Sequence, residues 1–230
     1  MPALKLAAGP PAPDGLVSAV LDEAAPGSGV PVLLTHGAGG DLAGAPLAAL
    51  ARGLAAAGHA ALRFNLAYRE AGRAAAPLAE RSVPGYRAVL EDAQTKLPAL
   101  GRRWAVGGKS YGGRVASLAV AAGMEVAGLV FYGYPLHPPG RPEAVRVAHW
   151  PAIRVPCLFL QGSLDSFCTL DLLRAHLPEL GAPATLHVVD GGDHSLQVRA
   201  SDAPGGRARG APQVLAELAP LVGRWLDGLH

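Results

Sequence analysis

Residues 103–117 read Arg103-Trp104-Ala105-Val106-Gly107-Gly108-Lys109-Ser110-Tyr111-Gly112-Gly113-Arg114-Val115-Ala116-Ser117. The run Arg103–Gly107 has the character of a buried strand, and Arg114–Ala122 repeats apolar residues at helical spacing. Between them stands Gly108-Lys109-Ser110-Tyr111-Gly112, a G-x-S-x-G pattern in the strand-to-helix context that gives the pattern meaning. A serine on so tight a turn points its Oγ outward at the end of a sheet. Glycine on either side removes a Cβ that would meet the turn and the neighbouring strand. The following helix sets its N-terminal dipole beneath the hydroxyl, where developing negative charge is favoured. A phosphate loop is excluded, because G-x-x-x-x-G-K-[ST] needs glycine five positions before Gly108, and Arg103 is there.

Outward from this turn, short apolar runs alternate with helical stretches. Val30–Thr35, Ala60–Phe64, Val126–Tyr132, Cys157–Leu160 and Thr185–Val189 read as strands. Ala43–Ala57 (ended by Gly58), Gly85–Leu97 (ended by Pro98), Leu170–Leu177 and Gln213–Leu229 read as helices. Such alternation predicts an α/β fold: a three-layer αβα sandwich on a mostly parallel sheet with right-handed crossovers. Gly15–Ala24 has a weaker strand pattern suited to a sheet edge, followed by the turn Pro26-Gly27-Ser28-Gly29. Residues 1–14, rich in Pro, are expected to form a loosely held lead-in to a single domain over 15–230. The proline-rich stretch Pro135–Pro156 is expected to form a short flap, and Ser195–Gly210 has no periodicity.

The bulk properties narrow the function. At 230 residues with half of them hydrophobic, the chain supports one domain with a sizeable core. Its net charge of +2 and scattered arginines imply no nucleic-acid partner. The local cluster Arg199, Arg207 and Arg209 reads as a solvated loop. Two cysteines, Cys157 and Cys168, make neither a disulfide framework nor a metal-ligand spacing. No leader-like start and no run long enough to cross a bilayer are present, so no membrane association and a cytoplasmic location are expected.

A serine hydroxyl needs a base within hydrogen-bond reach. In the strand-turn-helix arrangement the acid and the histidine follow the serine in that order. Of eight histidines, His176, His187, His194 and His230 lie late enough. His187 falls within a strand, His176 in a helical pattern, and His230 ends the chain. His194 remains, in the loop Asp190-Gly191-Gly192-Asp193-His194-Ser195 after the last strand. Asp165 follows the strand Cys157–Leu160 directly and is the natural acid. Asp171 reads as a helix-start residue, and Asp193 is too close in sequence to face the ring. The loop His36-Gly37-Ala38-Gly39-Gly40 ends the first strong strand, so Ala38 and Tyr111 are assigned as backbone donors to an oxyanion.

The runs Leu34–Gly40, Leu62–Asn65, Gly107–Ala116, Gly133–Gly140 and Gly192–Ser195 resemble the α/β-hydrolase superfamily, in particular its small, capless, dienelactone-hydrolase-like group. They are similar to a subgroup of predicted bacterial hydrolases. That subgroup is related to a domain of a histone-acetyltransferase-complex subunit and of a testis-expressed protein. The resemblance covers roughly residues 30–229. It implies the hydrolase fold without a large cap, the triad Ser110–Asp165–His194 and the Ala38/Tyr111 hole. Dienelactone hydrolases carry a cysteine where this chain has Ser110.

Asn65, Tyr134 and His137, near the expected rim with Arg63, are possible substrate contacts; Tyr134 and His137 equally suit packing of the flap. Lys109 is expected to point away from the nucleophile. The leading expectation is an acyl hydrolase of small carboxylic esters or thioesters, needing no metal or organic cofactor, with a small acyl compound as its partner. A peptidase or acyltransferase would use the same residues. An interaction domain that kept the fold without catalysis is the rival from another class. Oligomeric state is not encoded legibly.

Overall fold

A computed structural model describes residues 3–25, 29–203 and 205–229. Pro26–Ser28 of the expected turn and His230 lie outside the described residues. Eight strands form one sheet: β1 (Ala3–Ala7), β2 (Leu16–Asp22), β3 (Val32–Thr35), β4 (Ala61–Phe64), β5 (Ala105–Lys109), β6 (Gly128–Tyr132), β7 (Cys157–Gly162) and β8 (Ala184–Val189). Their order across the sheet is β1-β2-β4-β3-β5-β6-β7-β8. From β4 to β8 all neighbours are parallel, and β1 and β2 are antiparallel additions at one side. The helices are α1 (Ala45–Ala56), α2 (Ala67–Glu70), α3 (Val83–Lys96), α4 (Tyr111–Ala121), α5 (Leu170–His176) and α6 (Ala211–Asp227).

The sheet separates two cores. On one face α1 and α6 bury Leu47, Leu50, Leu54, Leu215, Leu218, Val222 and Leu226 against Leu34, Val130 and Leu158. On the other, α3, α4 and α5 bury Tyr86, Val89, Val115, Ala119 and Leu173 against Leu33, Val106, Leu129 and Phe159. The central strands are buried on both faces, which is why they read as continuous apolar runs rather than alternating ones. Their C-terminal ends all open on one edge, where parallel sheets of this kind place their chemistry.

The expected loose lead-in over residues 1–14 is corrected by β1. Leu6 is fully buried, and Lys5 on the opposite side reaches Glu70 at 2.7 Å and Ser18 at 3.0 Å. Alternation over five residues was enough for a strand once β2 supplied a partner. Consequently β2 is not an edge strand: it pairs with β1 on one side and β4 on the other.

Pro135–Pro156 is no flap over the site. Its Leu136, Val147, Trp150 and Ile153 belong to the core on the α4 side of the sheet. Trp150 donates its indole N–H to Tyr134 Oη at 3.1 Å, and His149 Nε2 lies 2.8 Å from Ser117 Oγ on α4. Burial, with a smaller push from Arg114, lowers the His149 pKa to about 4. Unfolded, the ring titrates near 6.5. Between those values the unfolded chain takes up a proton that the folded chain refuses, so this contribution to stability is lost as pH falls through the window. Thermal midpoints recorded from pH 7 to pH 4.5 are expected to fall less steeply in His149→Gln than in wild type. Parallel curves would remove His149 from the account.

Candidate active site

β5 delivers the chain to Ser110, and α4 starts at the next residue. Ser110 holds φ 48 and ψ −114, a conformation that side-chain-bearing residues adopt only when the surroundings impose it. Close packing imposes it here. A Cβ on Gly112 would lie 2.5 Å from the carbonyl oxygen of His36, and one on Gly108 would run into the Thr35 carbonyl. The Ser110 N–H donates to Tyr132 O on β6 at 3.0 Å, fixing the turn from the other side.

The structure brings Ser110, His194 and Asp165 together. Ser110 Oγ lies 2.8 Å from His194 Nε2, and His194 Nδ1 lies 2.9 and 2.8 Å from the two Asp165 carboxylate oxygens. The Asp165 side chain is fully buried and that of His194 is 19% exposed. An ionised carboxylate only accepts, so Nδ1 carries the proton and Nε2 is left to accept from the serine hydroxyl. Two further donors satisfy Asp165: Phe167 N–H at 2.7 Å and Gln161 Nε2 at 2.5 Å. The Phe167 ring stacks on the His194 ring, centroids 4.2 Å apart.

Asp193, Asp171, His187 and His176 lie or bond elsewhere. Asp193 Oδ1 accepts from the backbone N–H groups of Ser195 and Gln197 and so shapes the loop that carries His194. Asp171 is an exposed residue in the first turn of α5. His187 lies in β8, and His176 bonds Glu179.

Residues 36–42 are tethered by the end of β4 and the residues after it. Leu66 N–H donates to His36 Nε2 at 3.1 Å, while His36 Nδ1 bonds Gly37 O at 2.8 Å. Burial lowers the His36 pKa, so the ring is a neutral brace. Tyr68 Oη donates to Ala38 O at 2.7 Å, Arg63 to Leu42 O at 2.6 Å, and Leu42 N–H to Asn65 Oδ1 at 2.8 Å. Neither Ala38 nor Tyr111 uses its backbone N–H within the described residues. Tyr111 is the first residue of α4, whose leading N–H groups have no partner in their own helix.

Ser110 and His194 open into a cleft of about 440 Å³ whose walls include Ala38, Gly39, Pro46, Leu47, Tyr132 and Phe167. No residue of 135–156 lines it. The three expected substrate contacts are corrected accordingly. Asn65 is spent on Leu42 N–H and Glu70. Tyr134 is fully buried beside Trp150, and His137 is held between Pro138 O and Thr169. Arg63 is likewise buried, paired with Asp22 at 2.7 Å. Lys109 reverses its expectation: it lines the cleft, with Nζ 2.7 Å from Ser195 Oγ and 5.6 Å from the Tyr132 ring centre. Burial lowers its pKa, partly offset by Asp193 and Asp165.

Sequence reasoning missed Gln161 and Phe167. A glutamine at the end of a strand carries no local signal, although its place four residues before Asp165 was available. Besides donating to Asp165, Gln161 accepts the Tyr134 N–H at 2.9 Å. Gln161→Leu strips both buried partners and is expected to cost about 1–3 kcal/mol in denaturant unfolding. A loss within experimental error would show that neither bond matters.

A family model described as an alpha/beta hydrolase domain matches residues 28–213. Solved structures share the fold over most of the chain, among them the following three. A dienelactone hydrolase from Anabaena variabilis aligns with a TM-score of 0.74 at 19% identity, over 99% of this chain and 97% of that one. A serine hydrolase homologue from Coxiella burnetii aligns at 0.71 and 17%, over 98% and 97%. A serine hydrolase without a lid from Xanthomonas campestris aligns at 0.61 and 23%, over 84% and 85%.

Proposed function

Since this chain belongs to the alpha/beta hydrolase domain family, we propose that it is a serine hydrolase cleaving small carboxylic esters or thioesters through an acyl-enzyme. The supporting observation is the unbroken hydrogen-bonded path from Ser110 Oγ through His194 to buried Asp165.

The steps follow from the donors and acceptors. Ser110 Oγ attacks the acyl carbon as its proton passes to His194 Nε2, and Asp165 stabilises the imidazolium. The carbonyl oxygen becomes an oxyanion, taken up by the unused N–H groups of Ala38 and Tyr111. The carbon–oxygen or carbon–sulfur bond breaks, and His194 returns the proton to the departing alkoxide or thiolate. Water then repeats the sequence on the Ser110 ester, releasing the acid and restoring the hydroxyl.

Small substrates suit the cleft, whose volume lies near the low end for ligand sites. The test is a panel of p-nitrophenyl esters of graded acyl length, run beside a fluorophosphonate probe. Turnover is expected to be highest for the shortest acyl groups, with the probe labelling Ser110. A protein inert to both would favour the interaction-domain reading.

A further inference from the structure

A second cavity of about 420 Å³ lies behind Tyr68, separate from the cleft. Its floor is apolar, formed by Phe64, Leu66, Tyr86 and Val89. Two exposed arginines, Arg73 and Arg81, stand at its rim. Neither side chain makes an ion pair or hydrogen bond with a described residue, and no carboxylate lines the cavity. An apolar floor beneath two unpaired guanidinium groups matches a ligand with a hydrocarbon body and one anionic head. A carboxylate suits the forked donors of arginine.

Two walls of this cavity are bonded to the residues assigned above as oxyanion donors. Tyr68 Oη donates to Ala38 O at 2.7 Å, and Ser82 Oγ lies 2.8 Å from Tyr111 Oη. The Tyr68 ring also packs edge-on against Tyr111, centroids 5.9 Å apart. We propose that the cavity binds a small apolar carboxylate whose occupancy stiffens the Ala38 loop through Tyr68. The cavity, its ligand and the stiffened loop stand on their own; only the role of Ala38 as an oxyanion donor rests on the function proposed above. A bound ligand orders the Tyr68 ring in advance, and the tether transmits that order to the loop.

The probe is hexanoate, titrated calorimetrically, with 1-hexanol as the headless control. Wild type is expected to bind hexanoate saturably at one site, and at least tenfold more weakly in the Arg73→Ala/Arg81→Ala double variant. Amide hydrogen exchange over residues 36–44 is expected to slow with hexanoate in wild type. It is expected to stay unchanged in Tyr68→Phe, which keeps the ring but lacks the hydroxyl, at a hexanoate concentration that calorimetry shows to saturate the variant. Absence of saturable binding, or equal affinity in the double variant, overturns the site. Saturable binding with unaltered exchange in wild type overturns the coupling. Neither measurement uses turnover, so an inert protein would count against the proposed hydrolase and leave these outcomes legible.

Discussion

Ser110→Ala is expected to lower kcat on the best ester of the panel by about 10⁶-fold and to abolish fluorophosphonate labelling, with the fold intact. So large a loss follows from removing the atom that would form the covalent bond; what remains is the rate that binding and oxyanion stabilisation provide alone. The fold should survive, because the Ser110 side chain's recorded bond is the one to His194. Residual labelling or a loss below about a hundredfold would transfer the nucleophile elsewhere. Backbone strain supplies a companion result. Ser110 is held at φ 48 and ψ −114, a conformation costing of order 1–3 kcal/mol for a residue with a Cβ. Ser110→Gly should therefore be as inactive as the alanine variant yet more stable than wild type by about 1 kcal/mol in denaturant unfolding. Strain of this kind at an active site exchanges stability for the outward aim of a hydroxyl.

Asp165→Asn is expected to reduce kcat by about 10⁴-fold, an effect out of proportion to the loss of one charge. Each carboxylate oxygen of Asp165 accepts from His194 Nδ1 and from one further donor, Phe167 N–H on one side and Gln161 Nε2 on the other. An asparagine amide must turn its NH₂ toward one of those donors in either orientation. Aimed at the imidazole, the NH₂ would donate to Nδ1 and drive the proton to Nε2, where it blocks acceptance from Ser110. The buried donor–donor conflict should also cost about 1–3 kcal/mol of stability. Comparison of kcat with KM separates the two effects: a wrong tautomer lowers kcat and leaves KM for a short ester near its wild-type value. An Asp165→Asn enzyme within tenfold of wild type would mean that another group orients His194.

The parts of this molecule that sequence disclosed share one property: each depends on neighbours in the chain. Ser110 between glycines at a strand-to-helix boundary is a local pattern, and so are the apolar runs of β3 to β7. Asp165 and His194 were reachable because each directly follows a strand, and strand ends in a parallel sheet converge. Side-chain direction was not reachable, because it is decided by distant partners. Tyr134 and His137 are turned inward, since the Trp150 indole donates to Tyr134 Oη and the Thr169 N–H donates to His137 Nε2 there. Asn65 turns to the Ala38 loop, and Lys109 turns into the cleft toward Ser195. β1 is hidden for a related reason: Gly9 and the prolines at 10, 11 and 13 have the character of a loop, while Leu6 needs β2 to give its alternation a surface to bury.

The cleft has no segment folding across it among the described residues, and Pro135–Pro156, the stretch expected to do so, is committed to the core. Enzymes that transfer an acyl group to a chosen acceptor gain from shutting solvent out while the covalent species persists. In the acyl-enzyme proposed above, the Ser110 ester would stand in this open cleft, within reach of solvent. Added alcohols would then compete for it only in proportion to their concentration and nucleophilicity, and the partition would run toward the free acid.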